Sequence, residues 1–415
     1  MIGERACRRC LAVGLAVVGV LSAFAGPGLA MDPAGAAGGG LAAAQGGNFA
    51  GRVEIRGGRR LYLECRGMGR PTVILESGYG NGGDVWGLLD PGVRRPPVLG
   101  GIARFARVCA YDRPNTILQP DRLGRSDTVP QPRTAADAVA DLHALVRAAR
   151  LPGPYVLVGH SLGGLFVRLY ASTYPRQMAG LVLVDATYEL LRELLTPEQW
   201  AAVARITLEP VPGLDPPVEL FDQDASFDQM LRARAGRPLR PTLPLVVLSH
   251  GLAAELPPGV ELPPGSPDLA TLERASQTAQ NELGRLLPYA RHVIARRSGH
   301  YIHTAQPELV IDAVRRVLGM VRPASVRCRG GADSCRARVR LAGGASDRRV
   351  VIRLPDSHLR LVSARPNRSS LRGAYGLSGE RLRAGGSEYV FRLNAVQSTR
   401  PGAYLILRFR ASQRR

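Results

Sequence analysis

A mainly parallel β-sheet flanked by helices, interrupted by a cap and followed by a small all-β domain, is the architecture that the 415 residues predict. Three observations carry it. Short continuous apolar runs recur between residues 73 and 248, as in strands buried on both faces. Amphipathic stretches with apolar residues three and four apart separate them, which is helical spacing. Beyond Pro323 both patterns give way to short, in places alternating, segments divided by Gly-, Ser- and Pro-rich turns, the texture of a small β-sandwich. Apolar residues form 45% of the chain and charged residues 21%, an ordinary balance that excludes a disordered chain or a coiled coil.

Taken in order, residues 1–30 read as an export segment. Arg5, Arg8 and Arg9 precede the apolar run Leu11 to Ala25, and small residues follow at Ala23-Phe24-Ala25 and Gly28-Leu29-Ala30. That order matches a removable signal peptide, because about 15 apolar residues are too few for a comfortable membrane span; an uncleaved anchor is the alternative. Arg8-Arg9-Cys10-Leu11 is an incomplete twin-arginine pattern. Residues 31–50, rich in Gly and Ala, form a flexible leader. The main domain is expected over 51–322. Its strands are Val73-Ile74-Leu75, Val108-Cys109-Ala110-Tyr111, Tyr155-Val156-Leu157-Val158, Leu181-Val182-Leu183-Val184 and Leu245-Val246-Val247-Leu248. Ala135 to Arg150 is helical, with apolar residues at 138, 139, 142, 145, 146 and 149 and with Thr134 and Asp137 spaced as a capping pair. A second helix spans Pro307 to Leu318. Residues from about 187 to 240, with Trp200, several prolines and Phe221-Asp222-Gln223-Asp224, are too many for a loop and read as a cap over a site. Residues 323–415 are the β-rich module.

Charge divides the chain unevenly. The formal net charge is +21, and all 55 basic residues are arginine. Residues 322–415 hold 21 arginines against Asp333, Asp347, Asp356, Glu380 and Glu388, a net +16, whereas residues 31–321 sum to +3. Arginines alternating along strands would line one face of a sheet, and such a face attracts anions. The expected partner of the module is an anionic lipid or envelope polymer; no specific nucleic-acid binding is expected. Loss of the export segment would leave Cys65, Cys109, Cys328 and Cys335 in an oxidising compartment, extracellular or in the cell envelope, where disulfides form. Cys328 and Cys335 flank Gly330-Gly331, which can turn the chain back, and Cys65 would then pair with Cys109. Four buried free thiols are the alternative.

The chemistry concentrates after the run 155–158. Gly159-His160-Ser161-Leu162-Gly163-Gly164 is a G-x-S-x-G elbow in the strand–turn–helix setting that gives the motif meaning. The elbow is expected to push Ser161 Oγ out above the sheet, with the Leu162 N–H aimed where an oxyanion would form. A hydroxyl needs a base. Among seven histidines, His300 in Ser298-Gly299-His300 follows an apolar run and precedes a helix, so it occupies a loop at a strand's end, where α/β sheets hold their sites. His303 reads as a solvated neighbour, and His250 and His292 merely border strands. The third member should be a carboxylate between the two in sequence. Asp185 ends Leu183-Val184-Asp185; Glu255, Glu261 and Asp268 are the fallbacks, because Ser249-His250-Gly251 follows strand 245–248 where an acid would be usual.

With these pieces Leu75-Glu76-Ser77-Gly78-Tyr79-Gly80, Tyr111-Asp112-Arg113 and Gly124-Arg125-Ser126-Asp127 complete a pattern: residues 51–321 resemble the α/β-hydrolase superfamily in its esterase/lipase-like group. The resemblance implies the α/β-hydrolase fold and a second oxyanion donor at the Tyr79 N–H, and the replacement of the family's frequent His by Ser77 leaves that backbone donor intact. Relatives that open epoxides or remove halogen carry Asp at position 161, and those that trim amino-terminal proline commonly carry Trp at 162. A carboxylic-ester hydrolase acting on a small-molecule acyl substrate is therefore expected, with no metal or organic cofactor. An amide or thioester hydrolase, or a silent hydrolase-like protein that binds an anionic surface, are the alternatives.

Overall fold

The computed structural model describes residues 47–118, 122–210, 218–256 and 262–321, and beyond these the backbone of seven strands between residues 325 and 411. The expected signal peptide, most of the leader, Glu261 and all side chains from residue 320 onward lie outside the described residues.

Residues 47–315 belong to one compact unit built on an eight-stranded sheet. Its strands are β1 (Phe49–Glu54), β2 (Arg60–Arg66), β3 (Thr72–Glu76), β4 (Val108–Tyr111), β5 (Tyr155–His160), β6 (Met178–Val184), β7 (Leu245–His250) and β8 (Arg291–Ala295), in the order β1-β2-β4-β3-β5-β6-β7-β8. From β4 to β8 all neighbours are parallel, whereas β1–β2 and β2–β4 are antiparallel. Strands β3 to β6 are buried at every residue, which their uninterrupted apolar runs require. β2, Arg-Leu-Tyr-Leu-Glu-Cys-Arg, instead alternates in burial. Its Cys65 stands opposite Cys109 of β4, and a disulfide joins them.

Helices α1 (Val98–Ala103), α2 (Ala135–Ala148) and α3 (Leu162–Thr173) cover the sheet. Thr134 and Asp137 form the capping box at the start of α2. The excursion between β6 and β7 contains α4 (Leu191–Leu194), α5 (Pro197–Ile206) and α6 (Gln223–Gly236). Part of it is core rather than cap. Ser226 Oγ of α6 accepts the Ala135 N–H at 2.9 Å, Phe221 packs on Phe166 of α3 with ring centroids 5.0 Å apart, and Phe221 and Phe227 are fully buried. Next come α7 (Leu269–Gly284), α8 (Ile302–Ala305) and α9 (Pro307–Val321).

The second unit begins at residue 316 and is β-rich. Strands β9 (Ser325–Arg329), β10 (Ser334–Arg340), β12 (Leu359–Pro366) and β15 (Tyr404–Ala411) form one sheet in the order β9-β10-β15-β12. Strands β11 (Arg348–Arg353), β13 (Leu377–Arg381) and β14 (Glu388–Leu393) form another in the order β11-β14-β13, and every pairing is antiparallel. The register sets Cys328 opposite Cys335 and Arg336 between Arg327 and Arg408. The expected Cys328–Cys335 bond itself lies outside the described residues.

Candidate active site

Ser161 joins the end of β5 to α3 at φ 52° and ψ −124°, a strained backbone for any residue with a side chain. The glycines around it are steric necessities. A Cβ on Gly159 would fall 2.5 Å from the Gly163 carbonyl oxygen, one on Gly163 2.4 Å from the Ser77 carbonyl oxygen, and one on Gly164 2.2 Å from Ala186 Cβ. Three backbone hydrogen bonds hold the strained residue: its N–H donates to Val184 at 3.0 Å, and its carbonyl accepts from Gly164 at 2.8 Å and Thr187 at 2.9 Å. Ser161 is only 2% exposed, and the loop after β3 approaches it closely. Leu162 opens α3, so its N–H has no acceptor within the helix.

A chain of ionisable groups runs outward from His300. His300, in the loop between β8 and α8, places Nδ1 2.6 Å from Asp185 Oδ2. Its carbonyl accepts from His160 Nε2, the neighbour of Ser161, at 3.1 Å, which ties this loop to the elbow. Asp185 ends β6 at φ 45°, with its N–H donated to Leu248 at 2.7 Å. Burial would raise its pKa, but hydrogen bonds from His250 and His300 outweigh that and hold the carboxyl well below the ordinary range. Asp268 caps α7 through the Thr271 N–H, and Glu255 is exposed.

Two residues of this chain were not singled out in the sequence. His250, at the end of β7, sets Nδ1 2.8 Å from Asp185 Oδ1, to which its backbone N–H also donates at 3.0 Å. Its Nε2 lies 3.1 Å and 3.2 Å from the two oxygens of Glu273 in α7. A neutral imidazole can donate on one side only, so two carboxylates at its two nitrogens require the imidazolium. Burial lowers the pKa of His250, but the bond and charge of Asp185, joined by Glu273, push it up to about 9. His303 is a correction of another kind. Expected in solvent, it is wholly buried between Trp86 and His160, with ring centroids at 4.8 Å and 4.3 Å, and burial, with a smaller contribution from His300, drives its pKa down to about 3.

A second buried chain holds the loop 77–83, which adjoins the elbow. Arg113 is buried beneath it and makes five hydrogen bonds. Nη1 donates to Glu76 Oε1 at 2.6 Å and the Ser77 carbonyl at 2.9 Å; Nη2 donates to the Gly78 carbonyl at 2.7 Å and Glu219 Oε2 at 2.8 Å; Nε donates to Glu219 Oε1 at 2.7 Å. Glu219 also accepts the Gly80 N–H at 2.9 Å, and Tyr111 donates to Glu76. Burial raises the pKa of Glu76, opposed by the charge of Arg113 and its hydrogen bonds. Because a trans peptide points its N–H opposite to its C=O, anchoring the Gly78 carbonyl on Arg113 turns the Tyr79 N–H away from Arg113. A Cβ on Gly78 would lie 3.2 Å from Ser161 Cβ, so this loop and the elbow are in contact.

The sheet order and the strand–turn–helix at Ser161 define an α/β-hydrolase architecture. The model of the alpha/beta hydrolase family matches residues 73–313, more than half of the chain, and the chain belongs to that family. It is 24% identical over 253 residues to the uncharacterized protein YqjL of Bacillus subtilis, covering 60% of this chain and 84% of that one. It is 31% identical over 205 residues to the pimeloyl-[acyl-carrier protein] methyl ester esterase of Chromobacterium violaceum, covering 49% of this chain and 70% of that one. Among solved structures, a thermophilic esterase from Thermogutta terrifontis aligns with a TM-score of 0.42 at 21% identity, over 66% of this chain and 99% of that chain.

Proposed function

We propose that the protein is an exported serine hydrolase that cleaves carboxylic esters through an acyl-enzyme on Ser161. The observation that carries this reading is the His300–Asp185 pair at 2.6 Å, tied through His160 to a strained elbow serine. The Nδ1–H of His300, donated to Asp185, leaves Nε2 as the free base. Ser161 Oγ attacks the acyl carbon as its proton passes to His300, and the charge on the carbonyl oxygen is received by the N–H groups of Leu162 and Tyr79. His300 returns the proton to the departing alcohol, and water repeats the sequence on the acyl-enzyme. The scheme draws only on groups of this chain. The ester preference draws support from the Chromobacterium relative, named for a methyl ester. A panel of soluble acyl esters assayed with wild type and Ser161→Ala tests the reading. Wild type should turn over at least one ester, and the variant should lose on the order of 10³–10⁶ in turnover; a variant that keeps more than a few per cent sinks the assignment.

We further propose that residues 323–415 hold the enzyme on an anionic lipid surface. Supporting this, the register and the two-residue period of strands place Arg327, Arg336, Arg338, Arg360, Arg408 and Arg410 on one face of the four-stranded sheet. Sedimentation with anionic and with zwitterionic vesicles tests it: binding should require the anionic lipid and the module, and should fall as salt rises. Equal binding by a chain lacking 323–415 contradicts it.

A further inference from the structure

We propose that His250, bridging Asp185 and Glu273, is a positioning residue that governs how firmly Asp185 holds the proton of His300. The inference rests on the reading of His300 as the base and extends the site outward by two residues. Asp185 receives three N–H groups, the backbone and Nδ1 of His250 and Nδ1 of His300, so both carboxylate oxygens are engaged and the aspartate is fixed from two directions. The far nitrogen of His250 is covered by Glu273, itself held by Gln277 at 2.6 Å.

The charges follow from the geometry. A second cation on the same carboxylate shares its charge and fixes the orientation in which it accepts the Nδ1–H of His300. The imidazolium of His250 therefore keeps Asp185 ionised and aimed at His300, and Glu273 holds that imidazolium charged. Among the described residues, charged groups reach His250 from three elements, while α8, which also packs on β7, carries the neutral, buried His303. β6 contributes Asp185, α7 contributes Glu273, and the loop 298–300 contributes His300. Beyond β8, Arg296 and Arg297 are exposed, and Arg297 faces Glu308. Arg274 of α7 is likewise exposed and bonds Thr271.

The experiment is the pH dependence of kcat/KM for a soluble ester from pH 5 to 10, read for wild type, His250→Gln and Glu273→Gln. His250→Gln should lower kcat/KM at neutral pH by about tenfold, because Asp185 then loses one of the three N–H donors that hold it. Wild type should show a second inflection near pH 9, where His250 loses its proton; it should vanish in His250→Gln and move to lower pH in Glu273→Gln. Histidine side-chain NMR on the same proteins supplies a readout free of turnover. His250 should be doubly protonated at neutral pH, and the Nδ1 proton of His300, bonded to Asp185, should shift upfield in His250→Gln. A neutral His250 at pH 7, or a His300 Nδ1 proton resonance unmoved in a folded His250→Gln protein, overturns the proposal. If no ester is hydrolysed, the functional reading fails while the NMR titration still decides the coupling.

Discussion

Two chains of the form carboxylate–cation–carboxylate support the site, and they differ in the middle. Under the loop 77–83 it is Glu76–Arg113–Glu219, with all three side chains at most 4% exposed. Behind His300 it is Asp185–His250–Glu273, whose outer end is 15% exposed. The guanidinium reaches five acceptors from a planar fork and keeps its charge at every working pH, so it suits a loop whose backbone must stay in one place. The imidazole reaches two carboxylates and loses its charge within the accessible pH range. Permanent charge stands where a backbone is clamped, and a titrating charge where the carboxylate partner of His300 is held.

The largest break should come on the titrating side. Asp185→Asn keeps the shape but lets His300 adopt the wrong tautomer and strips His250 of its carboxylate, so kcat on a soluble ester should fall by on the order of 10³–10⁴, read at a temperature where the less stable variant is folded. On the permanent side, Arg113→Met leaves two buried carboxylates without their cation. It should destabilise the fold by about 3–5 kcal/mol, read by denaturant unfolding. The disulfide stands outside both chains and separates stability from chemistry. Cys65→Ser removes a cross-link spanning 44 residues and should cost about 4 kcal/mol while leaving kcat unchanged at a temperature where the variant is folded.

The smallest effect sharpens the contrast through pH. The pKa of His250 is raised to about 9 in the fold, above an ordinary value near 6.5, so its stabilisation is complete below pH 6.5 and lost as pH rises through 9. Wild type should lose up to about 3 kcal/mol more than His250→Gln between pH 6.5 and 9.5. Arg113 should contribute no slope in that window. Parallel pH profiles of the two proteins would remove the distinction between the chains.

The central sheet and the Ser161 elbow were legible in the sequence because continuous apolar runs and a glycine-bracketed serine are local patterns. Asp185 and His300 were legible from their places at strand ends. The hairpin β1–β2 was not, since its half-buried strands mix Arg and Glu with apolar residues. Helix α6 was hidden for a related reason: it buries little beyond Phe227 and Met230, too few apolar positions to print a period. His250 and Glu273 lie 23 residues apart on a strand end and a helix, and only the fold makes them neighbours. Arg113 and Glu219 are 106 residues apart, so the first could be noticed as a motif without revealing what it clamps. The burial of His303 depends on Trp86 and His160, neither adjacent to it in sequence.

Labelling with a fluorophosphonate tests the central claim most directly, because only an activated serine displaces fluoride from phosphorus. Peptide mass mapping of the folded wild-type protein should place one phosphonyl adduct on Ser161, absent in Ser161→Ala and strongly reduced in Asp185→Asn. An unlabelled Ser161 in folded wild type, or equal labelling in the Asp185→Asn protein, would contradict a Ser161–His300–Asp185 hydrolase.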